Sequence, residues 1–519
     1  MYPFDKLDKF PDKAALVMAG SGRATSYTQL DRSSNRFAQL LRHLGLGHDA
    51  ALALMMENRS EFFTVCWGAQ RSGLFYTPVA THLATAEIAY IINDCGARAF
   101  VTSADQADNT ADLPGLCPDV QAWFVCGGEL PGYRSLEGEL DDMPDHPVDD
   151  ELEGCEMLYS SGTTGYPKGI RNPLPDRSVG AISPMAAALA VAYGADENTV
   201  YLSPAPLYHS APLRFNMALQ RLGATCVVME KFDASSAVQL LGQHQVTMSQ
   251  WVPTHFSRML KLPKQLREKA DLSSHRLALH AAAPCPVSVK EQMIDWWGPI
   301  LTEFYSATEG NGATQISSEE WLTHKGSVGR ELGCRVHVVD DEGEELVAGE
   351  IGTVYFEGGR SFEYHNAPEK TADSLDTRGW STVGDIGYLD EEGYLYLTDR
   401  KADMIISGGV NIYPQETENC LLEHPSVADA AVFGLPDSDF GEQVKAVVEA
   451  VDPLAADGQL ADELMAWCRD KISPLKCPRS IDFVDRLPRT EAGKLRKHLL
   501  KARYDQEPSG PASGPGQST

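Results

Sequence analysis

The chain reads as an α/β protein in which a large region of parallel α/β sheets is followed by short antiparallel strands and a small α+β segment. Three observations carry this reading. Short apolar runs alternate with helical periodicity over the first three hundred or so residues, as in parallel sheets layered by helices. Beyond Gly326 the pattern changes to short strands with Gly and acidic turns at 335–339, 352–357 and 393–399. After Arg400 a stretch with its own helix and strands begins, and the domain boundary is placed there: 1–400, 401–505 and a tail 506–519.

Taken in order, residues 28–44 place Leu30, Phe37, Leu41 and Leu44 on one helical face. The run 51–56 reads as a buried strand, 61–72 as a helix, 75–80 as a strand, and Thr85 as the N-cap of a further helix. Residues 98–102 are strand-like, whereas 103–150 are acidic and irregular and are expected to pass over the surface. A second series follows, with strands at 199–202, 225–229 and 277–280. In the last region 416–423 reads as a helix, and 429–433 and 444–450 as strands. The tail QEPSGPASGPGQST is Pro/Gly/Ser-rich and is expected to be disordered.

Composition narrows the function classes. With 519 residues, 43% hydrophobic and 23% charged, the chain has the balance of a globular protein of more than one domain. A net charge of −29 argues against nucleic acid or an anionic membrane as a partner. Positive charge is concentrated at 471–503, where ten Lys/Arg face three Asp/Glu. Eleven Cys without a C-x-x-C pair point to reduced thiols and a cytoplasmic protein. No apolar leader opens the sequence, and no apolar run is long enough for membrane insertion.

The segment LYSSGTTGYPKGI, 158–170, carries the chemistry of a polyphosphate cradle. Gly162, Gly165 and Gly169 let backbone approach a ligand, and Ser160, Ser161, Thr163 and Thr164 offer hydroxyls beside exposed N–H groups. Lys168 adds charge. Pro167 stands directly before that Lys, so this is not a Walker A loop.

The segment resembles the phosphate-binding signature of the acyl-adenylate-forming superfamily, and five further segments resemble that superfamily's motifs in its order. They are APLYHSAPL (205–213), FYSATEGNG (304–312), GWSTVGDIGYLD (379–390), DRKADMIISGGVNIYP (399–414) and LPRTEAGKLRK (487–497). Similarity runs over roughly 20–503. It implies an AMP-forming acid–CoA ligase using ATP, Mg2+ and CoA, with a β-barrel-like subdomain in the large domain and a mobile C-terminal domain.

The resemblance also implies residue roles. Ser161, Gly162, Thr163, Thr164, Gly165 and Lys168 would hold phosphates, Tyr305 would stack on adenine, and Thr308 would contact the nucleotide. Asp385 would accept bonds from the ribose hydroxyls, with Arg400 as a second contact. Glu309 and Thr164 would be the Mg2+ ligands. Lys494 would bridge substrate carboxylate and α-phosphate in the transition state. His209 would wall the acyl site or gate the thiol path, and Gly408 and Gly409 would give room to pantetheine. The acyl pocket is expected from His209, Trp251, His280, Ala281, Ala282, Tyr305 and Ser306. Small Ala281–Ala283 leave space for a medium- or long-chain fatty acid or a bulky steroid- or bile-type acid.

Two departures from the superfamily stand out: the hinge position carries Ala402, and Lys497 stands where Arg is common. Alternatives kept open are an aromatic-acid ligase, a ligase acylating a carrier protein, and a catalytically inactive nucleotide-binding protein. VYLSPAPLYH (200–209) lacks the acidic residue that an amino-acid-activating enzyme would want for its substrate amine. A homodimer is left open.

Overall fold

The computed structural model describes residues 3–160, 167–174, 180–181, 183–400, 403–407, 410–437, 439–489 and 495–505; the side chains of Asp399 and Arg400 lie outside that description. Two large sheets form the first half. A six-stranded, all-parallel sheet has the order Arg134–Ser135, Ala122–Cys126, Ala97–Ser103, Ala51–Met55, Phe75–Pro78, Cys155–Glu156. The strand ALALM at 51–55 is buried at every position, which is why it reads as a continuous apolar run rather than an alternation.

The nine-stranded sheet has six parallel central strands, ordered Leu301–Ser306, Leu277–His280, Met248–Trp251, Val200–Ser203, Thr225–Val228, Ala14–Met18. Antiparallel strands close its two edges. Helices Tyr27–His43 and Ser60–Arg71 pack between the sheets, sharing one apolar core with helix Ser210–Leu222. The first of these is entered through a capping box, Ser26 with Gln29.

Three smaller sheets follow. Glu363–Tyr364, Lys168–Arg171 and Leu158–Ser160 form an antiparallel group, and a four-stranded antiparallel sheet comprises Arg335–Val339, Gly352–Glu357, Asp385–Leu389 and Leu395–Arg400. The last sheet, built from strands between Ile405 and Phe483, encloses its own core with helices Pro414–Leu422 and Gly458–Lys471.

The structure departs from the sequence reading in three places. Residues 103–150 are not merely irregular, because AWFVC at 122–126 is a largely buried strand beside Ala97–Ser103. Its five apolar residues are short and flanked by acidic turns, so periodicity alone did not mark them. Ala14–Met18 is likewise a strand, paired with Thr225–Val228. Thr85 is the first helical residue rather than the N-cap; the cap is Ala84, whose N–H donates to Glu87 at 3.0 Å.

Candidate active site

The turn that follows strand Leu301–Ser306 is the centre of the site. Phe304 packs back toward the inter-sheet core against Phe215, rings 5.8 Å apart. Alternation then sends Tyr305 the other way, where its hydroxyl donates to Asp385 at 2.6 Å and its ring lies 5.9 Å from Phe356. Asp385 opens its own strand, is buried, and is the register partner of Arg400. Tyr305, Asp385 and the backbone of Arg400 are thus brought to one place.

Beyond the strand, Glu309 is buried and accepts a hydrogen bond from the Tyr364 hydroxyl at 2.9 Å. Lys168 sits with its ammonium 5.0 Å from the centre of the same Tyr364 ring. The turn is pressed from below: a Cβ on Gly359 would lie 1.7 Å from the Asn311 carbonyl oxygen, so no side chain fits there. Gly169 is constrained in the same way by Tyr159, whose Cζ a Cβ would approach to 2.8 Å. The Gly169 carbonyl accepts from the His365 N–H at 2.8 Å, tying the Lys168 strand to the Tyr364 segment.

Thr308 is held through its carbonyl, which accepts from Arg214 at 3.2 Å. The same guanidinium donates to Glu156 at 2.7 Å. Burial alone would raise the Glu156 carboxyl, but the Arg214 charge and hydrogen bond outweigh it and hold the group below its usual range. His209 is the N-cap residue of helix Ser210–Leu222, half-buried, with its ring 4.6 Å from Tyr208.

The expected acyl wall divides. Ala281 and Ala282 follow strand Leu277–His280, whose register with Leu301–Ser306, His280 opposite Glu303, leads them toward Phe304 and Tyr305 at the carboxyl ends of neighbouring parallel strands. Ala282 is exposed with φ +79, and Ser306 is exposed with its hydroxyl donating to the Gly312 carbonyl at 2.8 Å. Trp251 and His280 do not join them. Both are buried in the layer under helices Pro253–Leu260 and Val287–Trp297. Trp251 packs on Trp297 and donates to Ser249 at 2.6 Å, and His280 lies 5.3 Å from Phe256. Burial and the nearby Lys290 keep the His280 imidazole neutral. Choosing residues at strand ends located the right edge of the sheet, but Trp251 and His280 lie level with Glu303, three residues short of Ser306, and the helical layer covers them there.

Ser161, Gly162, Thr163, Thr164, Gly165, Ala402, Gly408, Gly409 and Lys494 lie outside the described residues. Tyr364, Arg214 and Glu156 are site residues that sequence reasoning missed. One signal was present: Glu156 is an acid inside the apolar run CEMLY, and a buried acid needs a cation. Among the described residues no group of three or more His, Cys, Asp or Glu could hold a metal. A single carboxylate, Glu309, near a Lys is a donor set suited to Mg2+ carried largely by substrate phosphates, not to an all-protein cage. No helix among the described residues is long and apolar enough to cross a membrane.

Comparison with known proteins identifies the family. The AMP-binding enzyme family matches residues 4–363, and the AMP-binding enzyme C-terminal domain matches 416–494. The chain is 32% identical to a long-chain-fatty-acid–CoA ligase, FadD13, of Mycobacterium tuberculosis over 506 residues, covering 95% of this chain and 96% of that protein. It is 31% identical over 498 residues to a feruloyl-CoA synthase from Amycolatopsis, covering 94% and 96%. The crystal structure of ATP-bound MatB from Rhodopseudomonas palustris superposes with a TM-score of 0.82 at 27% identity, covering 97% of this chain and 98% of that one. With both domains of the family matched in order, and relatives similar along nearly their whole length, the chain belongs to the AMP-binding enzymes, a family of AMP-forming acid–thiol ligases within the acyl-adenylate-forming superfamily.

Proposed function

We propose that this protein joins a carboxylic acid to CoA in two steps, through an acyl-adenylate. The observation that carries the reading is the convergence of two arms on the turn 306–310: Tyr305 with Asp385 on one side, and Lys168, Tyr364 and Glu309 on the other. The first arm offers an aromatic face and a carboxylate, which suit adenine and a ribose diol. The second offers an ammonium and a hard oxygen, which suit a metal-bound polyphosphate.

In this reading Ser161–Gly165 and Lys168 cradle the phosphates, and Arg400 adds a ribose contact. Glu309 and Thr164 would hold Mg2+, which when bound neutralises phosphate charge. Lys494 steadies the α-phosphate as the substrate carboxylate attacks it and pyrophosphate leaves. The unit 401–505 then turns about Ala402, withdrawing Lys494 and presenting Gly408–Gly409. The CoA thiol attacks the adenylate carbonyl, the acyl–oxygen bond breaks, and AMP departs. His209, Ala281, Ala282 and Ser306 border the acyl site. The acid is of the fatty or bulky steroid- or bile-type class. All eleven cysteines are free, as suits a cytoplasmic enzyme.

The test is a panel of fatty, steroid-type and aromatic acids, scored for pyrophosphate, AMP and acyl-CoA. Stoichiometric release of all three is expected with bulky or long acids. Formation of ADP, or pyrophosphate release independent of any acid, would overturn the reading. Acyl transfer to a carrier protein but not to CoA would overturn the acceptor.

A further inference from the structure

Arg214 lies about one turn into helix Ser210–Leu222, on the same half-buried face as Ser210 and Ala211. Its guanidinium works in two directions. Nε donates to Glu156, in the strand two residues before Leu158–Ser160, the strand that leads into the phosphate segment. The Nη1 donates to the carbonyl of Thr308, the residue before Glu309. Glu156 is half-buried, and Arg360, whose N–H donates to the Gly310 carbonyl at 3.3 Å, adds a second positive charge toward it. The segment entering the phosphate loop is tied to helices elsewhere too, Glu151 to Arg71 at 2.6 Å and Glu153 to Arg221 at 2.5 Å. Of these three pairs, only Arg214–Glu156 also touches the turn that carries Glu309.

We propose that Arg214 is a positioning residue that fixes the Thr308–Glu309 turn against the root of the phosphate loop, so that the Glu309 carboxylate and the loop meet a metal–nucleotide complex in register. The inference rests on Glu309 as a metal ligand, as read above. A planar fork can bond a carboxylate and a carbonyl in different directions at once. A Lys ammonium at the same position keeps the charge beside Glu156 but ends on a flexible stem, so the Thr308 carbonyl loses its fixed donor. Glu156→Gln does the opposite: it removes the half-buried charge and keeps an acceptor for Arg214.

The test is binding of an ATP analogue with a methylene bridge between the α- and β-phosphates, measured calorimetrically with Mg2+ and with EDTA. The ratio of the two affinities reports metal-dependent binding without turnover. In Arg214→Lys this ratio should fall about tenfold, with the EDTA affinity within about twofold of wild type, the loss expected for one misplaced ligand. In Glu156→Gln the ratio should stay within about twofold while the melting temperature falls. If Arg214→Lys does not fold, the double variant Arg214→Gln/Glu156→Gln, which removes both charges together, should show the same reduced ratio. An unchanged ratio in Arg214→Lys, or an equal loss in Glu156→Gln, would overturn the proposal. A wild-type ratio near one would instead overturn the metal reading of Glu309, and the inference with it.

Discussion

Two ion pairs, one sealed and one half-buried, hold the same strand and turn: Lys290–Glu303 at Leu301–Ser306 and Arg214–Glu156 through the Thr308 carbonyl just past its end, and they behave differently. Lys290 and Glu303 meet at 2.6 Å under helix Val287–Trp297 with side-chain exposures of 0% and 7%. Burial raises the Glu303 carboxyl, and Lys290 only partly offsets it. Arg214 and Glu156 meet at 2.7 Å with exposures of 22% and 16%, and there the cation wins. The difference is one of geometry. A single ammonium sealed among Trp321 and His280 compensates a buried carboxylate poorly, whereas a guanidinium at the rim has water and a carbonyl to share its charge. The sealed pair ties a helix to a strand; the rim pair reaches the site.

Removing one partner of the sealed pair should have the largest effect on stability. Lys290→Met leaves Glu303 without its cation, and breaking such a pair destabilises by roughly 3–5 kcal/mol. Denaturant unfolding would measure it. A loss below about 1 kcal/mol would mean that Glu303 takes up a proton at little cost.

Next in size is the bond from Tyr364 to Glu309. A hydrogen bond to a charged acceptor contributes about 1.5–3 kcal/mol, so Tyr364→Phe should slow acid-dependent pyrophosphate release by about tenfold or more. Its melting temperature should fall by a few degrees as well, because the buried Glu309 loses its donor. An unaltered rate would place Glu309 outside the chemistry.

The two pairs also predict opposite pH slopes. Glu303 is raised above the ordinary 4.5, so the folded state holds its proton more tightly and stability falls as pH rises above that value. Glu156 is lowered below 4.5, so its contribution is present above that value and is lost as pH falls through the depressed range. Relative to wild type, Glu303→Gln should therefore gain stability as pH rises, and Glu156→Gln should lose less on acidification. Slopes of the same sign in the two variants would undo the contrast between the pairs.

The smallest effect concerns Ala282. Its φ of +79 is a conformation that L residues other than Gly adopt at a cost of about 1–2 kcal/mol. Ala282→Gly should raise stability by about 1 kcal/mol, less the extra chain entropy of glycine. A destabilised variant would show that the methyl group has a packing partner that outweighs the strain.

Much of the fold was legible because each parallel strand is a compact apolar run bounded by turns, as at 51–55 and 277–280. Tyr305, Asp385, Glu309 and Lys168 could be picked out because each sits inside a distinctive segment. Tyr364, Arg214 and Glu156 could not, since their bonds join residues 55 to 94 positions apart and only the topology brings them together. Trp251 and His280 show the complementary limit: a strand's end is visible in sequence, but how far the neighbouring strand runs past it depends on the register of the sheet it joins.

That Lys494 serves the adenylation step and not the thioester step is the claim on which the functional reading stands. It is tested by acid-dependent exchange of labelled pyrophosphate into ATP without CoA, together with thioester formation from preformed acyl-adenylate, in wild type and Lys494→Ala. Exchange should proceed in wild type and fall by about 10²–10³ in the variant, while thioester formation continues near the wild-type rate. Equal loss in both half-reactions, or exchange that requires CoA, would contradict it.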